Sequence, residues 1–127
     1  MSGIDSNSMK LLEKSMDFLW AKQTAILDNI ANAETPYYKQ KLVTFEEEFQ
    51  RQLEQARKHA RPAQALAEVL DNADWQVYDV QEIVRRDDNG VNVTEQSVEL
   101  IRNAFQMQNV HRMISGEISL MRTAVNG

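Results

Sequence analysis

The stretch that decides the fold is MKLLEKSMDFLWAKQTAILDNIANAETPYYK, residues 9–39. Its apolar residues recur at alternating three- and four-residue steps, which places them on one face of a helix and is typical of a coiled-coil seam. The seam positions are Met9, Leu12, Met16, Leu19, Gln23, Ile26, Ile30 and Ala33, of which Gln23 is polar. A helix with this much apolar surface must lie against another element in water.

The helix is expected to end near Asn32 to Glu34, because a proline follows. Pro36 pushes Thr35 out of the helical region, and the side chains of Asn32 and Thr35 can bond the freed backbone. We expect an extended Tyr37–Tyr38 segment after this bend. The residues from the helix end through the tyrosines are called the bend segment: Ala31, Asn32, Ala33, Glu34, Thr35, Pro36, Tyr37, Tyr38 and Lys39.

A second long stripe lies at the other end of the chain. Asn92 or Thr94 can cap its helix, and Glu95 follows Asn92 in a near capping-box arrangement. The stripe comprises Leu100, Ala104, Met107, His111, Ile114, Ile118, Met121 and Val125, and it predicts a packed His111. The two stripes are expected to pair, within one molecule or between neighbours, and a pair within one chain would be antiparallel.

The middle of the chain is a separate excursion. Thr44 to Glu47 resembles a capping box that opens a shorter helix, which Pro62 would end. Trp75–Val84 favours short strands, and Asp87-Asp88-Asn89-Gly90 favours a tight turn. The sequence predicts one mainly α domain with a coiled-coil-like pair or bundle, a short central helix and a small irregular or β segment. Its parts are residues 1–39, 40–91 and 92–127.

Composition excludes several functions for a chain of 127 residues with net charge −5 and no cysteine. Without a basic patch, nucleic acid and anionic membranes are not expected partners. No apolar run reaches the ~20 residues of a membrane span, and no cleaved secretory signal is expected. His59 and His111 lack partners at metal-ligand spacing, and no glycine-rich phosphate loop is visible. We therefore expect no enzyme activity, metal, cofactor or small-molecule substrate.

Two parts of the sequence resemble a known family. Ala31 to Lys39 resembles the Ala-Asn-x-x-Thr-Pro-Gly-Tyr-Lys signature of bacterial flagellar axial proteins, and residues 25–30 resemble the helix before it. Residues from Asn89 to Ala124 resemble the last helix of the small proximal rod proteins in the flagellar basal-body rod family. One departure is Tyr37, which stands where the family has Gly and disfavours positive φ.

The resemblance implies a structural subunit of the proximal rod, part of the drive shaft of the flagellar basal body. It implies export by the flagellar type III apparatus without a cleaved signal, and a final location in the periplasm-spanning rod. Expected partners are further copies of the chain, other rod proteins, and the adjoining membrane-ring and export-gate proteins. The expected assembly interface consists of Met9, Leu12, Met16, Leu19, Ile26, Ile30, Leu100, Ala104, Met107, Ile114, Ile118, Met121 and Val125.

One alternative stays open at this point. A small, acidic, helical export chaperone or adaptor that binds a partner helix would share the composition and the apolar stripes. The bend segment favours the rod subunit, because an adaptor has no need of that signature.

Overall fold

The computed structural model describes residues 3–62, 64–65, 68–69, 76–84 and 90–126, with side chains from Met9 onward. Five main elements follow one another: α1 (Gly3–Ala31), β1 (Gln40–Phe45), α2 (Glu47–Arg57), β2 (Tyr78–Ile83) and α3 (Val93–Asn126). The mainly α fold with long first and last helices is therefore confirmed. Within the described residues, no helix is long and apolar enough to cross a bilayer.

The two long helices pair within the chain and run antiparallel. Asn29 bonds Gln96 near one end of the contact, and further along Leu19 accepts a bond from Asn103. One residue number falls as the other rises, which is the signature of antiparallel helices. Asn92 caps α3 as predicted, because its Oδ1 accepts a hydrogen bond from the Glu95 amide at 3.0 Å. This cap satisfies one of the backbone N–H donors that the start of a helix leaves without a partner.

The excursion between the helices contains an antiparallel hairpin. β1 pairs with β2 in a register that joins Gln40 to Ile83 and Phe45 to Tyr78. Strand pairing therefore takes Thr44 into β1, and the predicted capping box at Thr44 is wrong. The cap of α2 is Glu46, whose carboxylate accepts hydrogen bonds from the amides of Glu48 and Phe49, both at 2.9 Å.

A small core joins the excursion to α1. Phe49 and Val77 are fully enclosed at its centre, and Leu11, Phe45, Leu53 and Val69 pack around them. The Phe18 ring stacks on Phe45 with centroids 4.2 Å apart and planes inclined by 14°. Stacked aromatic rings add to the apolar burial that holds such a layer together. The excursion is thereby fixed to the first half of α1.

Two predictions in the excursion have partial outcomes. β2 confirms a strand inside Trp75–Val84, although Trp75 itself lies outside the described residues. Of the predicted turn, Asp87, Asp88 and Asn89 also lie outside them. Gly90 has a φ of 67°, the positive value expected for the Asn-Gly pair.

Candidate assembly site

The bend segment forms two successive turns after α1 ends. The Thr35 amide donates to the Asn32 carbonyl at 3.0 Å, and the Tyr38 amide donates to the Thr35 carbonyl at 3.3 Å. In the second turn Pro36 occupies the first central position and Tyr37 the second, with a φ of 62°. Pro followed by a positive φ is the arrangement of a type II turn. The extended conformation predicted for Tyr37 is therefore wrong, because the turn requires the left-handed region.

Side chains of the motif reinforce the first turn. The Asn32 amide nitrogen donates to the Asp28 carbonyl at 2.9 Å, and the Thr35 hydroxyl donates to the Asn32 Oδ1 at 3.1 Å. The predicted role of Asn32 in bonding the freed backbone is confirmed, whereas the Thr35 hydroxyl bonds the Asn32 side chain instead of the backbone. Their bonds turn the chain back toward α1 so that β1 can begin at Gln40.

Asn29 is the junction between α1, the bend, β1 and α3, and its side chain is fully buried. Its amide nitrogen donates to the Lys41 carbonyl and to the Gln96 Oε1, both at 2.9 Å. Its Oδ1 accepts from the Lys41 amide at 2.8 Å and from the Tyr38 hydroxyl at 3.3 Å. Every donor and acceptor of the amide is used, which is the condition for burying it at low cost.

An ion pair lies beside this junction. The Lys41 ammonium donates to the Asp28 Oδ2 at 3.0 Å, which joins β1 to α1. That hydrogen bond, together with the negative charge of Asp28, raises the pKa of Lys41 above its usual value of 10.5. Both side chains remain partly exposed, so solvent weakens the attraction.

The face of α3 turned toward α1 differs from the predicted stripe. The line of buried and half-buried positions is Gln96, Leu100, Asn103, Met107, Val110, Ile114, Glu117 and Met121. Every second predicted position, beginning with Leu100, lies on this line. The positions between them, beginning with Ala104, lie one residue further along the chain and are exposed. His111 is therefore exposed, and its predicted packing is wrong. Polar Asn103 and Glu117 concealed the correct line.

The predicted interface residues fall into groups that differ in burial. Leu19 and Ile26 are buried. The half-buried members are Met9, Leu12, Met16, Ile30, Leu100, Met107, Ile114 and Met121, and the exposed ones are Ala104, Ile118 and Val125. Their role in assembly stays a prediction. What the structure adds is that part of this surface already serves the contact between α1 and α3.

Sequence reasoning missed the polar members of the junction. Asn29, Gln96 and Asn103 are buried, with 0%, 5% and 1% of their surface exposed. Asn103 donates to the Leu19 carbonyl at 3.0 Å, while its Oδ1 has no hydrogen-bond partner among the described residues. The feature of the sequence that could have indicated them is Asn29, a polar residue beside the apolar positions of α1.

Large apolar side chains remain exposed on both helices after they have paired. On α1 these are Trp20 and Leu27, which are 56% and 46% exposed. On α3 they include Val98, Ile101 and Phe105, with Phe105 at 63%. Exposed large apolar side chains on a helix are the kind of surface that contacts between proteins bury. Among the described residues no group of acidic or histidine side chains could hold a metal ion.

Paired helices with outward apolar side chains, a fully bonded Asn29 amide and a type II turn define a mainly helical protein built on an antiparallel pair. No family model matches the chain, and no solved structure matches it. It is 31% identical over 106 residues to the flagellar basal body rod protein FlgB of Borrelia hermsii, an alignment that covers 76% of this chain and 78% of the relative.

Identity at this level over three-quarters of both chains shows the family. The chain belongs to the flagellar basal body rod proteins of the FlgB type. The resemblance to the flagellar basal-body rod family is thereby confirmed.

Proposed function

We propose that the protein is a structural subunit of the proximal rod, which polymerises through α1 and α3 to form part of the drive shaft of the flagellum. The observation that carries this proposal is the apolar surface left on both helices after they have paired. In a monomer the apolar surface of Trp20 and Phe105 stays in contact with water, whereas a subunit of a helical bundle buries it against its neighbours.

The expected partners are further copies of the chain, other rod proteins, and the ring and export-gate proteins next to the rod. Delivery would be by the flagellar type III export apparatus, and the final location would be the rod across the periplasm. Within this proposal, exposed Ala104, Ile118 and Val125 contact neighbouring subunits. Buried Leu19 and Ile26 instead hold the helical pair together.

Deletion and complementation in a flagellated cell test the proposal. Cells that lack the protein should not swim, and electron micrographs should show membrane rings without a completed rod. Re-expression of the wild-type chain should restore both. Complete rods in the deletion strain would contradict a structural role in the rod.

A chaperone or adaptor remains the second candidate, because an exposed apolar helix face also fits a single partner helix. The two functions differ in the assembly they produce. An adaptor should form a defined complex of fixed size, whereas a rod subunit should form an open-ended polymer or an unstable monomer. Sedimentation of the purified chain over a range of concentrations separates these outcomes.

A further inference from the structure

Each long helix carries one line of side chains that stays exposed in the part of the chain that the structure describes. On α1 the outward side chains Glu13, Trp20 and Leu27 are exposed, and we call them the Trp20 stripe. On α3 the exposed side chains Val98, Phe105 and Arg112 form the Phe105 stripe. In both stripes the members are seven residues apart, which places them in line along one side of a helix.

The chemistry of the two stripes is complementary when the helices run antiparallel. Along α1 the order is acid, aromatic, aliphatic, and along α3 it is aliphatic, aromatic, base. Antiparallel contact therefore places Glu13 opposite Arg112, Trp20 opposite Phe105 and Leu27 opposite Val98. The matched stretch is about 21 Å long at the rise of an α-helix.

The offset of this pairing already exists inside the molecule. Asn29 lies opposite Gln96 in the α1–α3 contact. Two residues further along each helix, in opposite directions, Leu27 lies at the level of Val98. A neighbouring molecule at the same axial level would therefore bring the two stripes into register without a shift.

Other pairings of the same stripes are unfavourable. A parallel contact between them would place Leu27 against Arg112 and Glu13 against Val98. An antiparallel contact of the Trp20 stripe with itself would place Glu13 against Leu27, and the Phe105 stripe with itself would place Arg112 against Val98. Each of these buries a charge against an aliphatic side chain, which costs free energy.

We propose that the Trp20 stripe of one molecule packs antiparallel on the Phe105 stripe of a second copy of this chain. The inference rests on the proposed rod function and specifies the contact through which copies join. Because the two surfaces differ, each molecule keeps one free stripe after binding. The contact is head-to-tail, and it extends into a row rather than closing as a two-fold dimer.

Cysteine cross-linking tests the geometry, since the chain has no cysteine of its own. The variants are Leu27→Cys, Val98→Cys and the double variant, produced in rod-building cells that lack the wild-type chain and are treated with a short bis-maleimide. The double variant should give a ladder of multimers, and the two single variants co-expressed should give dimers. Each single variant alone should remain monomeric. Dimers from a single variant, or assembled rods in which the double variant gives no ladder, would overturn the proposal.

Charge reversal tests the same contact without cysteine. Glu13→Arg and Arg112→Glu should each lower the number of rods per cell about fivefold, the scale of one lost exposed ion pair. Their combination should restore wild-type numbers, because the pair is re-formed with its signs exchanged. Asp79→Arg is the control for a reversed charge at a position outside the two stripes, since Asp79 is exposed on β2.

The outcomes separate this inference from the function on which it rests. If the deletion strain still builds rods, the proposed function fails. If the deletion strain lacks rods but both single reversals build as many as Asp79→Arg, the function stands and the stripe contact is wrong. If a cysteine variant builds no rods, the charge-reversal experiment tests the contact instead. Rods restored by the double reversal of Glu13 and Arg112 would support the contact, and a double reversal that restores no rods would overturn it.

Discussion

At Tyr37 the chain holds a tyrosine in a backbone conformation that favours glycine. The φ is 62°, and the side chain is completely exposed, so no packing compensates for the strain. The turn itself is fixed by Pro36 and by the bond from the Tyr38 amide to the Thr35 carbonyl. The surrounding turn therefore determines the backbone conformation at this position, and Tyr37 is held at a positive φ in spite of its side chain.

Replacement of Tyr37 by Gly should stabilise the protein. Glycine relieves about 1–2 kcal/mol of left-handed strain and returns part of it as chain entropy in the unfolded state, so the net gain is roughly 0.5–1 kcal/mol. Urea unfolding of the two proteins measures the difference. Tyr37→Ala is the matched control, because it removes the same ring without freeing the backbone. An equal gain in both variants would show that the ring, rather than φ, is unfavourable.

Asn29 should be among the most sensitive positions in the chain. Asn29→Ala leaves the Lys41 amide and carbonyl and the Gln96 side chain without their buried partner, at a cost of about 2–4 kcal/mol. Chemical denaturation gives the value, and Asn109→Ala, at an exposed site on α3, is the control. If Asn29→Ala lost no more unfolding free energy than the control, water would be able to replace the hydrogen bonds of the Asn29 amide without cost.

The ion pair of Lys41 with Asp28 gives stability a dependence on alkaline pH. Because the folded-state pKa of Lys41 is raised, its contribution is complete below the unfolded value near 10.5 and is lost as pH rises through the raised pKa. Asp28→Asn should bring the Lys41 pKa back toward its ordinary value, which NMR titration of the Lys41 side chain detects. An unchanged pKa in the variant would contradict the assigned cause.

At the scale of elements, α1 is covered on two sides for different reasons. One side packs on α3 through Leu19 and Ile26, and the other on the excursion through Leu11 and Phe18. Heptad spacing predicted both helices, but it left open whether they pair within one molecule or between neighbours, and an antiparallel arrangement was expected only for a pair within one chain. It could not select the inner face of α3, because Leu100, Met107, Ile114 and Met121 belong to either of two adjacent lines. Thr44 was misassigned because helix-capping chemistry is local, whereas pairing with Asp79 across the sheet is not.

Asn103 is a costly residue within the helix contact. Its Oδ1 is buried and lacks a hydrogen-bond partner among the described residues, while the Leu19 carbonyl that it contacts lies in the middle of α1 and stays satisfied by the helix. Asn103→Leu should therefore stabilise the monomer by about 1 kcal/mol. Thermal unfolding provides the measurement, with Asn109→Leu as the exposed control. Destabilisation of Asn103→Leu would show that its amide donation outweighs the orphaned oxygen.

At the scale of the whole molecule, a helical pair is fixed within the chain while further apolar surface faces outward. The family could be inferred from the bend segment because that motif is local and its turn chemistry is read directly from Asn32, Thr35 and Pro36. The junction at Asn29 could not, because it unites Lys41 and Gln96, which only the folded chain brings together. The exposed Phe105 lies off the predicted stripe, so the heptad pattern did not single it out.

Two isoleucines should separate folding from assembly. Ile26 is 5% exposed, so Ile26→Asp buries an unpaired charge and should unfold the helical pair. Ile118 is 40% exposed, so Ile118→Asp should leave the monomer stable and abolish swimming by weakening subunit contacts. Circular dichroism and motility assays measure the two effects, with Asp79→Arg as a surface control. Normal swimming with Ile118→Asp would remove that residue from the proposed interface.

The amide of Asn29 also affects whether another strand can pair with the outer edge of β1. It occupies the backbone N–H and C=O of Lys41 on the side of β1 that faces away from β2. A foreign strand approaching that edge would find these groups already engaged by a side chain that mimics a peptide unit. Strand addition, the usual route from an open sheet to amyloid-like aggregates, is blocked at this point. The outer edge of β1 is thereby closed to a further strand at Lys41.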